Sequence, residues 1–176
     1  MMIRGIIAAF ALASMALLAG GCSQAIRPAA LELEMSGAAK DGTGTLTIVV
    51  EVVGLYADKV DEAKSVKPKE WFNLGAPSTS RSLREVLPER LFKSFTFSKS
   101  KPGPHVLGVG DDFWKLLQDE DISDVLIVAN PPTNVIAGTD TQWKVLLKAD
   151  TSLTEKRVLI ELNNGGLLKK AQPVKK

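Results

Sequence analysis

One cysteine, one histidine and a cluster of six carboxylates are the residues of this 176-residue chain best equipped to act as nucleophile, base or ligand. His105 follows Pro102-Gly103-Pro104, and a Ser-His-Asp or Cys-His site would need it as its base. No G-x-S-x-G elbow accompanies it, so it reads as an exposed loop histidine. With one histidine and no spare cysteine, zinc would have to rely on carboxylates, whereas structural zinc prefers sulfur and nitrogen. Asp111, Asp112, Asp119, Glu120, Asp121 and Asp124 could in principle cleave a glycoside or hold calcium. Residues 119–124, however, lack the every-second-position ligands and the central glycine of a calcium loop. The plainer expectation is that Asp111 and Asp112 cap a helix and that Asp119 to Asp121 lie in the polar loop ending it. Gly108-Val109-Gly110 lacks the third glycine and the Gly-Lys-Ser/Thr ending of a phosphate loop. Trp71, Trp114 and Trp143 could line a sugar groove, but beside Phe72, Phe113 and Val145 they read as core. The chain is expected to be no enzyme and to hold no metal or cofactor.

Cys22 is different. It ends a segment with a short basic start (Arg4), a 13-residue apolar stretch from Ile6 to Leu18 interrupted only by Ser14, and the small residues Ala19-Gly20-Gly21. That is the layout of an export signal, and 13 apolar residues are too few to cross a hydrocarbon core of roughly 30 Å. Leu18-Ala19-Gly20-Gly21-Cys22 resembles the bacterial lipobox, in which the cysteine takes a diacylglycerol and becomes the new N-terminus. A lone cysteine cannot form an internal disulfide, and several acyl chains give stable anchoring. Ser23 in place of Asp resembles the signal for the outer rather than the inner membrane. Beyond residue 21 the remaining 155 residues are roughly 41% hydrophobic, with 21 basic and 20 acidic side chains. Such a balance gives no electrostatic footprint for nucleic acid, and the apolar content suits one folded domain.

The elements follow from periodicity. Leu31 to Met35 alternates apolar and acidic residues, the pattern of a half-buried strand, and Leu46 to Leu55 is a β-branched run long enough to be buried on both faces. With the glycine-bearing segment from Ser36 to Thr45 between them, the two read as an antiparallel hairpin. Asp58 to Val66 predicts two helical turns, Ser82 to Glu85 a capping box, and Pro88 an end to that helix near Leu87. Further strands are expected at Phe92 to Phe97, Asp124 to Ala129, Gln142 to Ala149 and Lys156 to Leu162, with a helix at Asp111 to Gln118 and a turn at Asn163 to Gly166. The division is a signal at 1–21, a lipidated tether at 22–29, a domain at 30–168 and a basic tail at 169–176. Strands spread along the chain without βαβ alternation predict a mainly β fold, an antiparallel β-sandwich with short helical insertions.

The order of these features resembles the outer-membrane lipoproteins of bacterial type VI secretion systems, the TssJ family. The residues that carry the resemblance are the lipobox cysteine, the strand 31–35, the run LTIVVEVVGLY, and Trp71-Phe72 within a helical insertion. Phe95-Thr96-Phe97 ahead of Lys101-Pro102-Gly103, and Trp143-Lys144-Val145 near the end, complete the set. The resemblance implies a transthyretin-like β-sandwich acting as a non-enzymatic scaffold, lipid-anchored in the outer membrane and facing the periplasm. It also implies a partner, the periplasmic domain of the inner-membrane protein TssM, contacted through the loop between the first two strands. Here that assigns the contact to Lys40, Asp41, Gly42 and Thr43, where Ala38-Ala39-Lys40-Asp41 replaces the family's asparagine-containing motif. The alternative from the residues alone is a lipid-anchored binder of a small ligand or sugar. Radiolabelled palmitate should be incorporated into the chain and lost in Cys22→Ala; retained label in that variant would contradict the anchor.

Overall fold

The computed structural model describes residues 26–36, 47–73, 78–98, 100–131, 140–148, 157–163 and 165–170. Among these residues eight strands form two four-stranded sheets. The first sheet has β4 (His105–Leu107), β1 (Ala30–Met35), β7 (Arg157–Asn163) and β8 (Gly166–Lys170), in that order. The second has β3 (Phe92–Phe97), β2 (Ile48–Leu55), β5 (Asp124–Ala129) and β6 (Lys144–Lys148). Four α-helices accompany them among the described residues: α1 (Val60–Lys64), α2 (Pro68–Phe72), α3 (Thr79–Val86) and α4 (Asp112–Asp119). The expected mainly β sandwich with short helical insertions is the fold observed.

The topology corrects the sequence reading in one important place. β1 and β2 are not a hairpin: β1 pairs antiparallel with β4 and parallel with β7, while β2 lies in the other sheet between β3 and β5. The two strands therefore belong to different sheets. A tight hairpin turn would pin the register of its two strands, but a connection this long leaves pairing to be decided by packing. Two strands escaped the sequence reading. β4 is three residues long and follows a Pro-Gly turn, which makes the expected loop residue His105 a strand residue opposite Leu33. β8, Gly166-Leu167-Leu168-Lys169-Lys170, absorbs the first two lysines assigned to the tail. Ser82 opens no helix either: α3 begins at Thr79, and Ser82 Oγ donates to the Ser78 carbonyl at 3.0 Å from inside it. The strand expected from Gln142 starts at Lys144, after a 3₁₀ turn at Asp140–Trp143.

The two apolar patterns explain the layers. Alternate residues Leu31, Leu33 and Met35 of β1 point inward, as do Val158, Ile160 and Leu162 of β7. They meet Ile48, Val50, Val52, Val125 and Ile127 of the other sheet, with Trp114, Leu117 and Trp143 filling the core. β2 and β5 are buried on their second face too. There Val53, Leu55, Leu126 and Val128 pack under the α1–α3 insertion against Ala63, Val66, Trp71, Leu83 and Leu87. Gly54, on the inner face, leaves room for α4, since a Cβ there would stand 2.5 Å from Leu117 Cδ2.

The β7–β8 turn needs glycine most. Gly166 has φ +138°, and a Cβ would fall 2.1 Å from the Gln142 carbonyl oxygen. Gly166→Ala should cost about 3 kcal/mol, combining backbone strain with overpacking. The check is urea unfolding of the chain beginning at Ser23; an unchanged midpoint would contradict the packing described.

Candidate functional site

Cys22 and the four loop residues Lys40, Asp41, Gly42 and Thr43 lie outside the described residues. The strand between them, β1, is described. β1 enters from Ile26 at one end of the sandwich and finishes at Met35 at the other. At the finishing end the Ser36 N–H donates to the Leu162 carbonyl at 2.9 Å, and Ile48 resumes the chain opposite Phe97. β1 thus ends in one sheet and β2 begins in the other at this end of the sandwich, with residues 37–46 outside the described residues.

His105 secures the edge beside it. Its ring stands edge-on to Phe97, centroids 4.7 Å apart, and tilts against Phe95 at 5.6 Å. Its Nε2 lies 3.0 Å from the Thr96 carbonyl. A carbonyl only accepts, so Nε2 carries the hydrogen. The histidine therefore joins the edge strands of the two sheets, a bracing role in place of the expected exposed loop.

The opposite end is closed by α4, and there the acidic cluster is spent on fastening. Asp111 caps α4 by accepting from the Phe113 N–H at 2.9 Å and sits 3.4 Å from Lys93 Nζ. Lys115 pairs with Asp119 at 2.6 Å. Glu120 accepts from Arg90 Nε at 2.8 Å and from the Tyr56 hydroxyl at 2.9 Å. Those two partners hold the Glu120 carboxyl below its ordinary range, Arg90 most of all, while burial and then Glu120 push the Tyr56 phenol up. Lys93, Asp111, Asp112, Lys115 and Asp119 line an open cleft of about 700 Å³. No group of three or more His, Cys, Asp or Glu that could hold a metal ion occurs among the described residues. All three tryptophans are buried, which removes the sugar platform of the ligand-binding alternative.

One polar constellation went unread in the sequence. Glu51, 5% exposed, sits mid-strand in β2 beneath the insertion. It accepts from Trp71 Nε1–H at 2.7 Å and from Arg84 through Nε at 3.2 Å and Nη2 at 2.8 Å. The guanidinium also lies 5.5 Å over the Phe92 ring, and its bond to Glu51 raises its pKa further. The signal was present: Glu51 is the only charge in the run LTIVVEVVGL. A second fastener is Lys144, whose Nζ donates to the Lys64 and Val66 carbonyls, both at 2.6 Å, at the end of α1. Burial lowers its pKa.

Among the described residues these features define a class: a two-sheet sandwich with a helical cover on one sheet and a helix closing one end. Solved structures superpose on it. A chain of a "Type VI membrane complex" superposes with TM-score 0.56 at 16% identity, covering 83% of this chain and 99% of that one. The lipoprotein Lip of Serratia marcescens, a membrane-bound component of the type VI secretion system, gives 0.53 at 15% identity, with 82% and 97% covered. A chain of the structure described as "T6SS protein TssM C-terminal domain (869-1107) from EAEC" gives 0.54 at 17%, with 81% and 99% covered. No family model matches the chain, and no curated protein does. The chain has the fold of these type VI secretion proteins.

Removing Arg84 strips a nearly buried carboxylate of two donors. Because the arginine side chain is 30% exposed, solvent offsets part of the loss, and Arg84→Ala should cost about 2 kcal/mol. Arg84→Lys should recover less than half, since an ammonium cannot reproduce the fork. Equal urea midpoints for parent and both variants would contradict the role given to Glu51.

Proposed function

We propose that this chain is a TssJ-like lipoprotein, a non-enzymatic scaffold of a type VI secretion membrane complex. Cys22 carries the lipid that holds it to the outer membrane, facing the periplasm. The loop with Lys40, Asp41, Gly42 and Thr43 binds the periplasmic domain of an inner-membrane TssM-like protein. The observation that supports this most is the separation of ends. The described chain enters at Ile26 beside α4, and β1 finishes at Met35, away from it. Six residues of strand extend about 20 Å, so a partner at the loop would be met away from the lipid. The shared fold supports the secretion assignment. A sandwich with both ends braced also suits a scaffold, because a loop anchored on rigid strands loses less freedom when it binds.

The test is capture of a purified TssM-like periplasmic domain by the soluble chain beginning at Ser23. Lys40→Ala and Asp41→Ala should each weaken capture about tenfold, as contact residues at the centre of an interface do. Deletion of residues 37–44 should abolish it; a complex that survives that deletion would show that the contact lies elsewhere.

A further inference from the structure

The segment between lipid and domain is far shorter than its sequence suggests. Ile26 and Ala29 are fully buried members of the main core. The Ile26 carbonyl accepts from Gln118 Nε2–H of α4 at 3.0 Å. Residues expected to be free tether are therefore packed, and only four residue steps separate Cys22 from the seated Ile26. A chain spans at most about 3.3–3.6 Å per residue, so these two Cα atoms lie within about 14 Å of each other along any path.

We infer that the α4 end of the sandwich is the face held against the lipid surface, with the loop-bearing end carried outward. The inference rests on the reading of Cys22 as the lipidated residue. The face comprises Arg27, the Gly108–Gly110 turn and the outer side of α4 with Asp112, Lys115 and Asp119. Its chemistry shows what holds it there. Lys115 is tied to Asp119, which leaves Arg27 as the other cation of this face, too little for a basic patch among the described residues. Val109, 53% exposed, is its one large apolar side chain exposed among the described residues, too little to insert. Proximity is imposed by the short covalent link alone.

Among the described residues the broad faces carry only scattered exposed large apolar side chains, Val106 and Leu168 on the β1 sheet and Val86 on the insertion. The outer side of the β1 sheet presents Glu32, Glu34 and Glu161, with Arg157 engaged by Glu32 and Lys170 by Glu161. On the insertion, Lys59, Lys64 and Lys67 are each engaged by a neighbouring carboxylate. Neither face is a basic surface that would draw the domain down onto phosphates.

The test uses the full chain, lipidated in a Gram-negative host and reconstituted into phosphatidylethanolamine–phosphatidylglycerol vesicles bearing a headgroup-attached quencher. A fluorophore is placed on Val109→Cys at the α4 end or on Ser98→Cys at the loop end; acylation blocks the native thiol. Quenching at position 109 should be at least twice that at position 98 and should not change between low and high salt. Inserting 12 Gly/Ser residues after Ser23, with a root-mean-square span of about 20 Å, should equalise the two. Equal or stronger quenching at position 98 with the native link overturns the orientation while leaving the anchor intact. A full chain that fails to float with vesicles, and whose behaviour Cys22→Ala does not alter, overturns the anchor and the orientation together.

Discussion

The burial of β2 and β5 on both faces is the constraint from which the rest of the structure follows. One face of these strands meets β1 and β7 across the main core, and the other must be covered or it would expose a continuous apolar sheet. The α1–α3 insertion is that cover. It consists of three short helices, two of them five residues long, which would not hold their shape in isolation. They are fixed by apolar packing and by two polar ties to the sheet beneath: Glu51 to Trp71 and Arg84, and Lys144 to the carbonyls at the end of α1. A carboxylate at Glu51 is tolerated inside an apolar layer because several donors meet it there.

With the cover in place, the two ends of the sandwich take on different work. One end is closed by α4, whose buried Trp114 and Leu117 plug the inter-sheet space while Asp111 ties its start to Lys93 of β3 and Glu120 ties its end to Tyr56 and Arg90. At the other end β1 finishes in one sheet and β2 begins in the other. His105 braces the edge there by joining β4 to β3. The residues that first looked like catalytic candidates are therefore the fasteners of a rigid body. In the proposed function that body transmits position between a lipid at one end and a protein partner at the other.

How much of this was legible in the sequence depends on whether the determinant is local. The alternation in Leu31 to Met35 and the unbroken run in β2 announced a one-sided and a two-sided strand, and both burial patterns match. The Asp111 cap and the core tryptophans were likewise readable from their neighbours. Strand partners were not. β1 joins β7 some 125 residues away, as the Arg157–Glu32 pair records, and no local signal encodes that choice against an adjacent hairpin. β4 and β8 were missed because three residues, or Gly-Leu-Leu-Lys-Lys, carry no decisive period. Glu51 was visible as the lone charge in β2, but its partners Trp71 and Arg84 lie 20 and 33 residues on. Of the site itself, Cys22 rests on a local pattern, whereas the loop residues rest on a family resemblance.

The central claim is that the two ends of this domain face different partners. It is tested most directly by placing a photocrosslinking amino acid at single positions of the lipidated chain, in cells that assemble the secretion complex. Probes at Ser36 and Thr47, which flank the inter-sheet loop, should crosslink to the TssM-like periplasmic domain, and a probe at Lys115 on α4 should not. Crosslinking from Lys115 but from neither loop position would contradict the account.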